Sequence, residues 1–305
     1  MIGYLFLALA LMAGVTKGYC GKKSGGTLVL VSDAMLVNTV RMTACIIIGL
    51  VLIALRNGWS ALTLDTTVLW ISALSGICTS LFVVSWLLSI RTGAFMMVDV
   101  FLIMGILIPL VMCAILFDEP IIPIQWAGFA VLIIAGCIMC SYNAKIKGKL
   151  TLRAFLLLVL CASSYGCIDL SQKLFVNLAP KTDNSVFQLY TYIFAALTLI
   201  ICGLIFRANE KKTHELRSPI AVVKPIIIYV AVMAICLYVN SYFKTAAAAH
   251  LDAAQIYPLH QGGTLVLAMF MAAIFFDEKI TVRSIIGVIL SVIALVMINL
   301  PALQG

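Results

Sequence analysis

The sequence predicts an all-α integral membrane protein: ten transmembrane helices arranged as two inverted five-helix repeats. Three observations carry this. Of the 305 residues, 64 % are hydrophobic and only 10 % are charged. Soluble domains carry about 25 % charged residues, so the chain lacks the polar surface that a water-soluble protein of this size needs. Ten apolar runs follow one another, each of about 20 residues, enough to cross a hydrocarbon core of about 30 Å. Finally, the chain repeats itself. LFDEPIIPIQWAGFAVLIIAGCIM at 116–139 and FFDEKITVRSIIGVILSVIALVM at 275–297 are both apolar, and each ends a half-chain. Phe117, Asp118, Glu119 and Gly128 match Phe276, Asp277, Glu278 and Gly287 at an offset of 159 residues. Duplicated membrane halves place a working site between them.

The ten runs cover 2–20, 34–55, 67–90, 93–117, 121–142, 152–176, 186–206, 219–243, 252–275 and 280–300. The first lacks the basic leader of a signal peptide and is expected to stay as helix 1. Helices 4 and 5 meet at the tight joint Asp118-Glu119-Pro120, and helices 9 and 10 at Asp277-Glu278-Lys279. Proline suits a first helical turn, so Pro120 is expected to open helix 5. The halves then run 1–143 and 150–302. Five helices is an odd number, so the two halves are expected to face opposite ways in the membrane. The longest polar loop, 207–218, is short, and no soluble domain is visible.

The net charge of +8 does not point to nucleic acid, because the basic residues fall between apolar runs rather than on one soluble face. Connections 1–2, 3–4, 5–6, 7–8 and 9–10 hold fourteen of them, and the other four connections hold three: Arg56, Lys181 and Lys244. The positive-inside rule puts the fourteen in the cytoplasm and both termini outside. Most of the ten cysteines lie inside apolar runs, where a thiol behaves as a small hydrophobe. Cys137 and Cys140 form a CxxC in mid-helix with no partner pair, so neither a disulfide framework nor a zinc site is expected. No GxxxxGK[ST] or HExxH occurs, so neither ATP drive nor a catalytic metal is expected. No cofactor is expected.

The five-plus-five layout resembles the drug/metabolite transporter superfamily in its EamA-like branch. The residues that carry the resemblance are the acidic joints FDE at 117–119 and 276–278, with Gly128 and Gly287 following at equal distance. To these are added the small-residue run KTAAAAHLDAAQ at 244–255 and Arg41 within VNTVRMTA. Pro109 and Pro258 depart from the mid-helix prolines common in the family's helices 4 and 9. So does the charge count, since members are commonly drawn with cytoplasmic termini. The resemblance implies transport, not enzymatic catalysis, and it implies no particular substrate.

Ionisable groups in a span are costly and tend to face a cavity. Asp99 sits among apolar neighbours about 6 residues into helix 4, where a carboxyl group out of water can take up and release a proton. It is read as a coupling or substrate-cation site, or as the partner of a basic residue. At the 159-residue offset it matches Pro258, beside Tyr257, His260 and Gln261. These residues are expected to flank one cavity with Asp99, or else to serve as helix-packing hydrogen bonders. Imidazole titrates near neutral pH. Asp169 and Lys173, four apart on helix 6, are read as a structural or gating pair, or else as substrate contacts; Lys17 occupies a similar place on helix 1, or else snorkels to the interface. Arg41 keeps its charge when buried and is read as binding an anionic group such as a carboxylate, or as pairing with Asp99. Superposing Arg56 on Arg207 sets Tyr192 opposite Arg41. Trp86, Tyr238, Asn240 and Tyr242 are further lining candidates. Glu119 and Glu278 read as surface joint residues.

These readings lead to a secondary transporter of a small metabolite, such as an amino acid or similar amphipathic solute. It would work by alternating access, with proton or exchange coupling, in the bacterial inner or plasma membrane. A multidrug exporter or lipid-carrier flippase is the alternative, and a non-transporting receptor or scaffold a second. The expected partners are a small-molecule substrate and membrane lipid; the oligomeric state is left open.

Overall fold

In lipid every backbone polar group must be satisfied within the chain, so apolar runs fold as helices. The computed structural model describes residues 1–25, 28, 30–56, 58–62, 64–91, 95–141, 152–211, 217–276 and 282–304. All regular elements among them are helical: α1 Ile2–Gly25, α2 Val31–Arg56, α3 Thr66–Arg91, α4 Phe95–Gly105, α5 Leu107–Leu116, α6 Pro123–Ser141, α7 Leu152–Leu178, α8 Asn184–Glu210, α9 Pro219–Val223, α10 Ile227–Ala248, α11 Ala253–Phe276 and α12 Val282–Gln304, with two short 3-10 turns. Among the described residues, seven candidate spans are long and apolar enough to cross a membrane. Three shorter apolar helices, Phe101–Leu116, Pro123–Ile138 and Ile285–Leu300, accompany them.

Expected helix 4 is broken into α4 and α5 at Ile106. Pro109 has no N–H to offer the carbonyl of Gly105, and its ring crowds that turn. At the break α4 crosses α7 closely: a Cβ on Gly166 would land on the Gly105 carbonyl, and a Cβ on Gly105 on that of Ala162. Small residues let backbones approach in this way. Gly166→Ala is therefore expected to force the two helices apart and destabilise the protein by about 1–3 kcal/mol. Thermal unfolding in detergent would measure it.

The joint after α5 is longer than the sequence suggests. Asp118 adopts a left-handed φ of 51°, which Asp tolerates better than most residues. The helix then opens at Pro123 rather than Pro120. Gln125 decides this, because its Oε1 reaches back to accept from Ile122 N at 3.1 Å, closing the first turn as a capping residue does. The second joint, 277–281, lies outside the described residues.

The main helix pairings are α1 with α10, α3 with α7, α2 with α8 and α6 with α12. Gly128 packs α6 against Ala294, Met297 and Ile298 of α12. Large apolar side chains such as Leu5, Trp70, Leu204, Ile228 and Ile289 remain exposed around the outside, as a lipid-facing surface requires. At the face holding the α1–α2 and α8–α9 connections, hereafter the basic face, Glu210 accepts from Val31 N and Ser32 N at 3.1 and 3.3 Å, and Arg217 bonds Asp33 at 3.1 Å. A carboxylate at a helix N-terminus satisfies both its free N–H groups and its dipole. At the opposite face Glu119 does the same for α11, accepting from Ala253 N at 2.7 Å.

Candidate functional site

α1, α3, α4, α7, α10 and α11 surround a cavity of about 40 Å³. Its polar wall comprises Lys17, Tyr165, Asn240, His260, Gln261 and Thr264, and its apolar wall includes Phe82, Trp86 and Leu102. One water needs about 10–15 Å³ measured this way, so the space admits about three or four waters and not a metabolite.

The polar groups form one connected chain. Asn240 Nδ2 donates to Ala10 O at 2.6 Å and meets His260 Nε2 at 2.9 Å. His260 Nδ1 lies 3.3 Å from Tyr165 Oη. Lys244 Nζ donates to the same hydroxyl at 3.4 Å and forms an ion pair with Asp169. Tyr257 Oη donates to the Asp169 backbone carbonyl at 2.6 Å. Lys173 pairs with Glu119 at 2.5 Å. The chain thus runs from the cavity toward the face opposite the basic one. There a second hollow of about 350 Å³ opens, walled by Phe175, Pro180, Asn184, Tyr242, Thr245 and Ala249 among others.

His260, Gln261, Asn240 and Trp86 line the cavity. Tyr257 does not; it is buried against α7. Asp169 and Lys173 do not pair with each other. Each takes a partner from another element, Lys244 and Glu119, because both of those charges also lie out of water and need a counter-ion. Lys244, expected in a connection, sits inside α10 with 2 % exposure. Glu119, expected at the membrane surface, is mostly buried. Lys17 does not snorkel to the interface: its ammonium sits over the Phe82 and Trp86 rings at 5.5 and 5.7 Å, a cation–π arrangement. Tyr242 holds Arg56 at 2.6 Å, and Tyr238 stacks on Tyr242, both away from the cavity. Arg41 and Tyr192 are buried beside one another off the cavity. The backbone of Asp99 is helical, three residues before Leu102, but its side chain lies outside the described residues.

Residues 152–300 match the family model of the EamA-like transporter family. That segment of the chain is similar to EamA-like transporters. A solved crystal structure superposes on 99 % of this chain and 98 % of its own, with a TM-score of 0.76 at 16 % identity. That likeness extends the fold across the whole chain. No curated protein matches. The EamA-like half supplies Tyr165, Asn240, His260, Gln261 and Thr264 to the cavity, and the residues before it supply Gly14, Lys17, Phe82, Trp86 and Leu102.

The EamA-like half was the easier one to read, since its polar residues stand out against an apolar helix. Gly14 and Gly18, which open the cavity on the α1 side, were missed. The available signal was Ala10, Gly14 and Gly18 at four-residue spacing, a small-residue stripe that marks a close helix approach.

Proposed function

We propose that this chain is a secondary active transporter of a small polar or amphipathic metabolite, working by alternating access. Ten spans form two inverted five-helix repeats over 1–143 and 150–302, with α4 and α5 making one broken span. The helix pairing supports this: exchanging the first and sixth, and the third and eighth, spans turns α1–α10 into α7–α3. The observation that carries the reading is the cavity itself. It lies on the seam between the halves, takes its wall from both, and holds buried hydrogen-bonding groups in place of simple packing. A space of about 40 Å³ belongs to a closed state, so a solute enters only when the halves rock apart. A lipid carrier or bulky drug would call for a larger, greasier cavity with a lateral opening; Lys17, Asn240, His260 and Gln261 suit a small polar solute better.

Labelling tests it. In a background with the native cysteines replaced, Asp99→Cys and His260→Cys are expected to react with an impermeant maleimide from both membrane faces, in different states. Labelling from neither face would leave a receptor or scaffold. Asp99 is proposed as the coupling group. Asp99→Asn is expected to remove the pH dependence of transport in proteoliposomes, and a wild-type rate that stays flat across about two pH units around neutrality would end the proton role.

A further inference from the structure

Arg41 lies ten residues into α2, about 15 Å along the helix from Val31, and is fully buried. One edge of its guanidinium is held: Nη1 donates to Asn38 Oδ1 at 2.6 Å. Asn38 is itself fixed, because its Nδ2 donates to Ala34 O and Val83 O at 2.9 and 3.4 Å. The other edge is open. Nε and Nη2 are buried and have no hydrogen-bond partner among the described residues. The groups within electrostatic reach are Cys20 on α1, Cys45 on α2, Tyr192 on α8 and Cys236 on α10, and none is a carboxylate. Tyr192 is already engaged, donating to Leu237 O at 3.4 Å.

A guanidinium keeps its charge, and an uncompensated charge out of water is strongly unfavourable. A side chain with a purely structural role would have both edges satisfied. Here Asn38 fixes one edge and leaves the Nε/Nη2 pair, two parallel N–H donors whose spacing matches the two oxygens of a carboxylate or phosphate. A spherical halide does not match that fork. The position also fits a solute path. Cys20 follows Lys17 by three residues and Cys236 precedes Asn240 by four, so two of the groups within electrostatic reach of Arg41 continue the α1 and α10 walls of the cavity, about one turn nearer the basic face.

We propose that Arg41 is an anion-binding residue, whose open fork receives a two-oxygen anionic group of a small solute, either a carboxylate or a phosphate. The proposal rests on the transporter reading and narrows it to anionic or zwitterionic solutes.

Equilibrium binding tests it. Thermal unfolding of the purified full-length protein is followed in acetate, inorganic phosphate and chloride at matched ionic strength. Acetate or phosphate is expected to raise Tm above the chloride value, and the stronger of the two identifies the group. Arg41→Lys keeps the charge but loses the fork, so its apparent affinity is expected to fall about tenfold. Arg41→Met is expected to lose the response. Without anion it should melt no lower than the wild type, since a buried unpaired charge has been removed; a lone structural arginine would give the opposite sign. Equal melting of the wild type in all three salts, or an Arg41→Lys response equal to wild type, overturns the proposal. Transport without an Arg41-dependent oxyanion shift would sink this site alone. An oxyanion shift in a protein that labels from neither face would keep the site and sink the transporter reading.

Discussion

Lys244→Met is expected to destabilise the protein by about 3–5 kcal/mol, the cost of leaving one buried charge without its partner. Lys244 and Asp169 are 2 % and 1 % exposed at their side chains, and they join α10 to α7. Removing the ammonium strands a carboxylate whose Oδ2 already has no hydrogen-bond partner among the described residues. It also removes a donor from Tyr165 Oη, and with it the link to His260. The double variant Asp169→Leu with Lys244→Met is expected to recover most of the loss, because exchanging a whole buried ion pair for apolar side chains is often neutral. Thermal unfolding of both single variants and the double in detergent completes the cycle. A double variant as unstable as the sum of the singles would show that the two charges act independently.

Gly14→Leu is expected to reduce transport to background while leaving a folded protein. A Cβ at Gly14 would point at Asn240 Nδ2, 3.1 Å away, and at His260 Nε2, 3.8 Å away. The rest of a leucine would then fill the cavity of about 40 Å³ and push the Asn240–His260 pair aside. Overpacking of this kind costs about 1–3 kcal/mol, which a protein of this size tolerates. Gly14→Ala needs only a few tenths of an ångström from Asn240 and should retain much of the activity. The two variants are compared by solute uptake into proteoliposomes and by melting temperature. Full transport in the leucine variant would remove the cavity from the mechanism.

Two lysines mark where reading the sequence stopped short. Helical spacing pairs Lys173 with Asp169, yet Lys173 bonds Glu119 on the joint before α6. The small-residue run after Tyr242 suggests a loop, yet α10 continues through it and carries Lys244 into the interior. Spacing along one helix identifies which residues share a face, not which charge a neighbouring helix brings to that face. Tyr257 shows the same limit. It stands three residues from His260, but it turns to a carbonyl on α7, while His260 turns to the cavity.

The membrane class, the helical content, the apolar runs, the family resemblance and the residues whose polarity is out of place in a span are all legible in the order of residues along the chain. Those follow from composition and periodicity, because an apolar run of about 20 residues in hydrocarbon satisfies its own backbone only as a helix. The tertiary structure alone decided the partners. It sent Asp169 to Lys244, Lys173 to Glu119 and Lys17 to the aromatic wall, and it left one edge of Arg41 open. Such pairings depend on which helix lies beside which, and at what height, and those relations link residues far apart in the chain.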